Sequence, residues 1–139
     1  MDTANGSCLC GEVALVLTFS SKWVAHCQPS SCRRAHGAAY VTWVGMPAGD
    51  VAIVDPQSRL RRYASSPGAG RGFSSRCGST LFFRSSRWPG ELHVAHANLH
   101  DAADRGPQAH AYWDTHVAWA SIDPDDGLKR IADPKSTPG

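Results

Sequence analysis

The run from His26 to Gly37, His-Cys-Gln-Pro-Ser-Ser-Cys-Arg-Arg-Ala-His-Gly, sets two cysteines between two histidines and follows them with paired arginines. Thiolate, neutral imidazole and guanidinium together suit a soft metal ion beside an anionic, sulfur-containing ligand. Three more thiols lie elsewhere: Cys8 and Cys10 are one residue apart and followed by Gly11, and Cys77 precedes Gly78-Ser79. A glycine at such a place permits the tight turn that brings neighbouring thiols onto one ion. Cys77-Gly78 resembles half of a zinc knuckle, so Cys8, Cys10 and Cys77 offer three thiolates to an ion that takes four tetrahedral ligands.

Plainer readings stand beside these. Free cysteine is among the most buried residue types, and composition leaves simple burial and metal ligation equally open. Arg33 and Arg34 read, on generic grounds, as the solvated face of a short helix. His93, His96, His100, His110 and His116 match no common ligand spacing and read as surface or satisfied core histidines. The five tryptophans read as core and rim aromatics, and Ser74 and Ser79 as turn residues.

The elements that must position these groups are short. Val13, Leu15, Leu17 and Phe19 alternate within Glu12 to Phe19, which reads as a half-buried strand, and Trp23 to Cys27 as a second. Pro29 interrupts pairing, and Ser30 to Gly37 permits one short helix with Ser30 or Ser31 as N-cap and Gly37 as terminator. Its first amides favour a thiolate at Cys32. Strands are expected over Ala38 to Val44, Val51 to Val54, Thr80 to Arg84, Glu91 to Asn98 and Gln108 to Trp113. Ser65 to Gly70 reads as an irregular loop, Met1 to Gly6 as a frayed start, and Trp119 to Ile122 as a return onto the body. Asp123 onward is expected to leave the core. Many short strands with turn signals between them define an all-β domain.

With 139 residues, 42% of them hydrophobic, the chain suffices for one domain with a real core. Fourteen basic against 12 acidic residues, spread evenly, give no reason to expect nucleic acid or an anionic membrane as partner. No apolar run approaches a membrane span, and the N-terminus lacks the parts of a signal peptide, so a cytoplasmic protein is expected. An odd count of five cysteines then favours metal ligation or thiol chemistry over a disulfide frame.

Gly6-Ser-Cys-Leu-Cys-Gly-Glu-Val13, Cys27 to Cys32 with Arg33-Arg34-x-x-Gly37, Tyr63-x-Ser-Ser-Pro-Gly68, Arg71-Gly-Phe73 and Cys77-Gly-Ser79 resemble the glutathione-dependent formaldehyde-activating enzyme family. Centromere protein V shares that domain. The resemblance implies an Mss4-like β-tent of short antiparallel strands over residues 1–127, with 128–139 as a tail. It also implies a carbon-sulfur lyase-type enzyme that joins formaldehyde to the thiol of glutathione or, with the same ligands and a different pocket, acts on a related small electrophile. In the family a structural zinc uses the first C-x-C and a later C-x-x-C-G, and a catalytic zinc uses C-x-C-x-x-C before the arginines. Carried over, Cys8, Cys10 and Cys77 form the structural set, with Ser74 at the missing position. Cys27 and Cys32 form the catalytic set, with Pro29 where the middle thiol stands and His26 or His36 as substitutes. Arg33, Arg34 or Arg71 are expected to hold the glutathione carboxylates. The expected cofactor is one structural zinc, with a second depending on that substitution; the partners are a small thiol and a small aldehyde, and a homo-oligomer is compatible. The rival class is a binding or scaffold domain that keeps the fold and one structural zinc.

Overall fold

Period-two alternation of more and less buried residues runs through Thr3–Ser7, Ala14–Thr18 and Val51–Val54, whereas central strands such as Glu91–Ala95 are buried on both faces. The computed structural model describes residues 2–133 and shows an all-β chain with one α-helix. A three-stranded sheet has the order β1 (Thr3–Ser7), β2 (Ala14–Thr18), β5 (Val51–Val54). The larger sheet runs β11 (Lys129–Ile131), β10 (Ala109–Ala111), β3 (Trp23–Cys27), β4 (Val41–Pro47), β9 (Glu91–Ala95), β8 (Thr80–Ser85), β7 (Ala69–Ser74), β6 (Leu60–Ser66). Pairings are antiparallel except for β10, which is parallel to both its neighbours. Among the described residues no helix is long and apolar enough to cross a membrane.

Leu15 and Leu17 on β2 pack with Val24, Val44, Met46, Leu92 and Val94 of the large sheet, and these form the main core. Fully burying each such side chain stabilises the fold by roughly 1.5–3 kcal/mol. The intervening residues Cys27, Val41, Trp43 and Ala95 join Cys32 in a second cluster. The large sheet therefore has one face given to the core and another free to build a site.

Three expectations are corrected and one is refined. The polar start is a strand: Ala4 is fully buried, β1 pairs with β2, and Asp101 accepts the Asn5 backbone N–H at 2.8 Å. Burial of one small residue and a backbone partner outweigh the polar composition. The Ser65 to Gly70 loop is instead the tip of a β6–β7 hairpin, because Pro67 and Gly68 (φ +74°) make a two-residue turn and both strands continue to it. Residues 123–133 leave the core, with none of them buried, but not the sheet: Asp126 accepts hydrogen bonds from Arg130 and from His110 (2.8 Å), and β11 pairs with β10. Trp119 remains 74% exposed rather than packing back. Met1 and residues 134–139, parts of the expected frayed start and tail, lie outside the described residues.

The short helix α1 (Ser30–His36) forms where expected, with Gly37 at φ +60° as its terminator, but Pro29 occupies the N-cap and no side chain caps it. Proline suits a helix start because its missing N–H is one the helix leaves unpaired anyway.

Gly6 lies against a crossing backbone. A Cβ there would stand 2.6 Å from the Asn98 carbonyl oxygen, at the bridge between Gly6 and Leu99. Gly6→Ala is expected to destabilise the fold by about 1–3 kcal/mol, read as a lower urea midpoint with an unchanged slope. An unchanged midpoint would contradict the close packing.

Candidate metal centre and binding cavity

Two turns meet at the cysteine cluster. In the first, the Gly11 N–H bonds the Cys8 carbonyl at 3.0 Å with Gly11 at φ +83°, and the Val13 N–H reaches the Cys8 sulfur at 3.4 Å. In the second, the Gly78 N–H bonds the Ser74 carbonyl at 2.8 Å with Gly78 at φ +81°. The Leu9 N–H donates to Ser79 Oγ at 2.9 Å and ties the turns together.

Cys8, Cys10 and Cys77 thereby bring their sulfurs within 4.8 Å of one another, and the Cys8 and Cys10 sulfurs are 3.6 Å apart. Two thiolates on one tetrahedral ion stand about 3.8 Å apart at ordinary bond lengths, so the set fits a metal ion. It is the one such group of three or more His, Cys, Asp or Glu among the described residues. Burial works to raise the Cys77 thiol, but hydrogen bonds from Ser74 and Ser79 and from the backbone bring it down to about 5. Ser74 is fully buried, and its Oγ accepts the N–H groups of Arg76 and Cys77, both at 3.2 Å. The Ser74 oxygen is thus committed to the turn that carries Cys77.

The second cysteine pair belongs to a different environment. Cys27 ends β3 and Cys32 lies in α1, 8% and 6% exposed, at the edge of a cavity of about 880 Å³. Burial, reinforced by the neighbouring Cys32, pushes the Cys27 thiol well above its ordinary value, although Arg71 opposes this. Pro29 offers no ligand. His26 belongs to the opposite strand face from Cys27, with Nδ1 2.8 Å from Thr42 Oγ1. His36 sets its ring edge-on to Trp43 at 5.1 Å, and burial followed by the Arg71 charge lowers its pKa to about 4. With Cys27 and Cys32, neither histidine makes a three-ligand set of the kind the other cysteines form. These residues do not fit a zinc site.

The expected carboxylate holders separate in space. Arg33 Nη1 donates to the Gln28 carbonyl and, at 2.8 Å, to the Thr115 carbonyl, tying α1 to the chain beyond β10. Arg34 is exposed, and neither arginine lines the cavity. Arg71 does. Only 7% exposed, it holds Nη2 3.7 Å from the Cys32 sulfur and its guanidinium 4.8 Å from the centre of the Phe83 ring. Its Nη1 is buried without a partner, and no carboxylate lies within salt-bridge reach among the described residues.

Sequence reasoning missed Glu91 and His93, which also line this cavity. His93 Nε2 lies 2.9 Å from Glu91 Oε1, and Glu91 also takes Trp23 Nε1 at 3.2 Å and Lys22 Nζ at 3.2 Å. The signal present was polarity at alternate positions of a strand whose other positions, Leu92 and Val94, are core. Of the remaining histidines, His110 is held by Asp126, His100 Nε2 lies 2.9 Å from Ser7 Oγ, and His116 stacks on Trp113 at 3.7 Å.

The family model of the glutathione-dependent formaldehyde-activating enzymes matches residues 3–115, and the chain belongs to that family. A crystal structure of a Rhodobacter sphaeroides protein shares the fold, with a TM-score of 0.60 over 91% of this chain and 98% of that one at 21% identity. No curated protein matches.

The cluster can be titrated with cobalt(II), whose sulfur-to-metal charge-transfer band grows with each thiolate. Ser74→Cys is expected to raise the band by about a third, from three thiolates to four, and Cys77→Ser to reduce it. A band indifferent to both changes would place the metal elsewhere.

Proposed function

We propose that the chain is a carbon-sulfur lyase-type enzyme: it binds a small thiol bearing a free carboxylate, of the glutathione kind, and adds it to formaldehyde or a related small aldehyde. The observation that carries this reading is Arg71, a buried guanidinium without an anionic partner at the wall of an aromatic cavity. Burying an uncompensated charge costs several kcal/mol, and the Phe83 face offsets only a part. A ligand carboxylate would complete the site by a charge-assisted, bidentate contact. Trp23, Trp43, Phe83 and Trp88 line the same space and would shield that contact from water.

Cys8, Cys10 and Cys77 would hold zinc, which would cross-link the turn after β1 to the turn after β7. Cys27 and Cys32 are kept as candidate groups of the reaction site as thiols. The ligand set around them carries no step through a second zinc. The same absence of a third ligand favours a second reading, a domain that binds the thiol without turning it over. Arg33 and Arg34 are left with positions on and around α1. A cytoplasmic protein that meets glutathione directly accords with this reading, and with five free thiols.

Thiols add to formaldehyde unaided, so the rate above a protein-free blank is the quantity to measure. The wild type is expected to exceed the blank and to bind glutathione. Arg71→Gln is expected to weaken binding by about 10-fold or more, the loss of one hydrogen-bonded charge contact. Equal affinity for glutathione and its carboxamide would overturn the reading; binding without acceleration would select the non-catalytic alternative. Zinc analysis should find about one ion per chain.

A further inference from the structure

Arg71, Phe83 and His93 are directly paired neighbours on β7, β8 and β9, so they form a row across one sheet face. The row continues through Gly45 on β4 to Trp23 on β3. Gly45 matters because a Cβ there would stand 2.2 Å from the Trp23 indole. Its absence lets that indole lie across β4, edge-on to the His93 ring at 4.6 Å, with Nε1 on Glu91. Phe83 separates the two polar ends, its ring centre 4.8 Å from the Arg71 guanidinium and 5.8 Å from the His93 ring. Two strand spacings put Arg71 and His93 roughly 10 Å apart at the backbone, the span of a small peptide-like acid.

At the His93 end the hydrogen bonds decide the tautomer. Glu91 accepts from Trp23 and pairs with Lys22, so it is a carboxylate, and the 2.9 Å contact requires His93 Nε2 to carry the proton. Nδ1 then bears the lone pair, has no hydrogen-bond partner among the described residues, and belongs to a ring that lines the cavity. An imidazole oriented by a carboxylate through one nitrogen and free at the other is the arrangement of a general base.

Building on the function proposed above, we infer that His93, positioned by Glu91, is the proton acceptor of this cavity and takes the thiol proton of a ligand whose carboxylate rests on Arg71. The thiol S–H bond breaks, its proton goes to Nδ1, and the sulfur lone pair forms the C–S bond with the aldehyde carbon. The C=O π pair moves onto oxygen, which recovers the proton from Nδ1, leaving the neutral hydroxymethyl thioether and the starting enzyme. Cys27 and Cys32 need not carry a metal for this step.

The charges facing His93 are Glu91 on its own strand, Lys22 behind Glu91, Arg71 across Phe83, and Arg87 over Trp88, whose ring lies 5.4 Å from that of His93. Burial lowers its pKa, Glu91 opposes and Lys22 adds to the lowering. The base form therefore persists below its ordinary titration range, and the acid limb of kcat/KM should fall below pH 6.5, about the value of an unperturbed histidine.

In the full-length protein, His93→Gln should cut the rate above the blank by about 100-fold or more and abolish that limb. Glu91→Gln should lower the rate and shift the limb further to acid. Independently of turnover, nitrogen NMR of the His93 ring should show Nε2 protonated and Nδ1 bare, and glutathione should shift the Nδ1 resonance where S-methylglutathione does not. A wild-type rate retained in folded His93→Gln, or a protonated Nδ1 in the neutral ring of the wild type, overturns this inference alone. Binding that shifts Nδ1 but gives no rate supports the base and overturns the proposed turnover. Failure of the wild type to bind glutathione overturns both.

Discussion

The alternation of side chains along the eight-stranded sheet is the constraint on which the molecule depends. Val24, Val44, Leu92 and Val94 must face the small sheet to close the core, so Trp23, Ala25, Trp43, His93 and Ala95 are committed to the opposite face. A register slip of one residue in β9 would bury His93 among the core side chains and expose Leu92 to the cavity. Core packing and site construction are thus one specification: the hydrophobic interactions that stabilise the sheet also hold the cavity's polar groups at fixed spacing. The register shift at Gly72 and Phe73, which pair with Phe82 and Thr80, belongs to the same logic, since it absorbs an extra residue, Leu81, in β8 while Arg71 remains paired with Phe83.

The two cysteine groups illustrate how context decides what a set of thiols can hold. Around Cys8, Cys10 and Cys77 the turns are held by backbone hydrogen bonds, two glycines in the left-handed region and the Leu9–Ser79 tie, none of which needs a fourth sulfur. Ser74 Oγ takes two backbone N–H groups of the same turn, so the turn under Cys77 is held by an oxygen. Around Cys27 and Cys32 the intervening Pro29 begins α1 and offers no ligand, and His26 and His36 are committed by strand parity or by packing. What this second region retains is a cationic group in an aromatic cavity, a feature suited to binding an anion whether or not an ion is present.

Much of the fold could be read in advance. The strands at Ala14–Thr18, Trp23–Cys27, Val51–Val54, Thr80–Ser85 and Glu91–Ala95 carry their own alternation or β-branched composition, and α1 carries its glycine terminator. The misread segments were those whose state depends on their partners. Thr3–Ser7 has almost no apolar content and is a strand because Ala4 reaches the core and Asn5 finds Asp101 nearly a hundred residues away. Ala69 and Gly70, at the end of the segment whose composition reads as a loop, begin a strand because Ser66 pairs with Ala69 across the Pro67-Gly68 turn. Lys129–Ile131 joins the sheet through the electrostatic cluster of His110, Asp126 and Arg130.

The sequence by itself determined the class of fold, the family and the three-thiol cluster, because periodicity, motif order and glycine-bounded turns are local properties of the chain. Only the tertiary structure decided which arginine meets the cavity and that Glu91 and His93 form a pair inside it. Arg33 and Arg34 stand beside Cys32 in sequence, yet helix geometry turns them to the Gln28 and Thr115 carbonyls or to solvent. Arg71 stands 39 residues away, yet its strand carries it to the Cys32 sulfur. Burial, the absence of a counter-charge and the register of three adjacent strands are relations among distant residues, and they exist only once the sheet has formed.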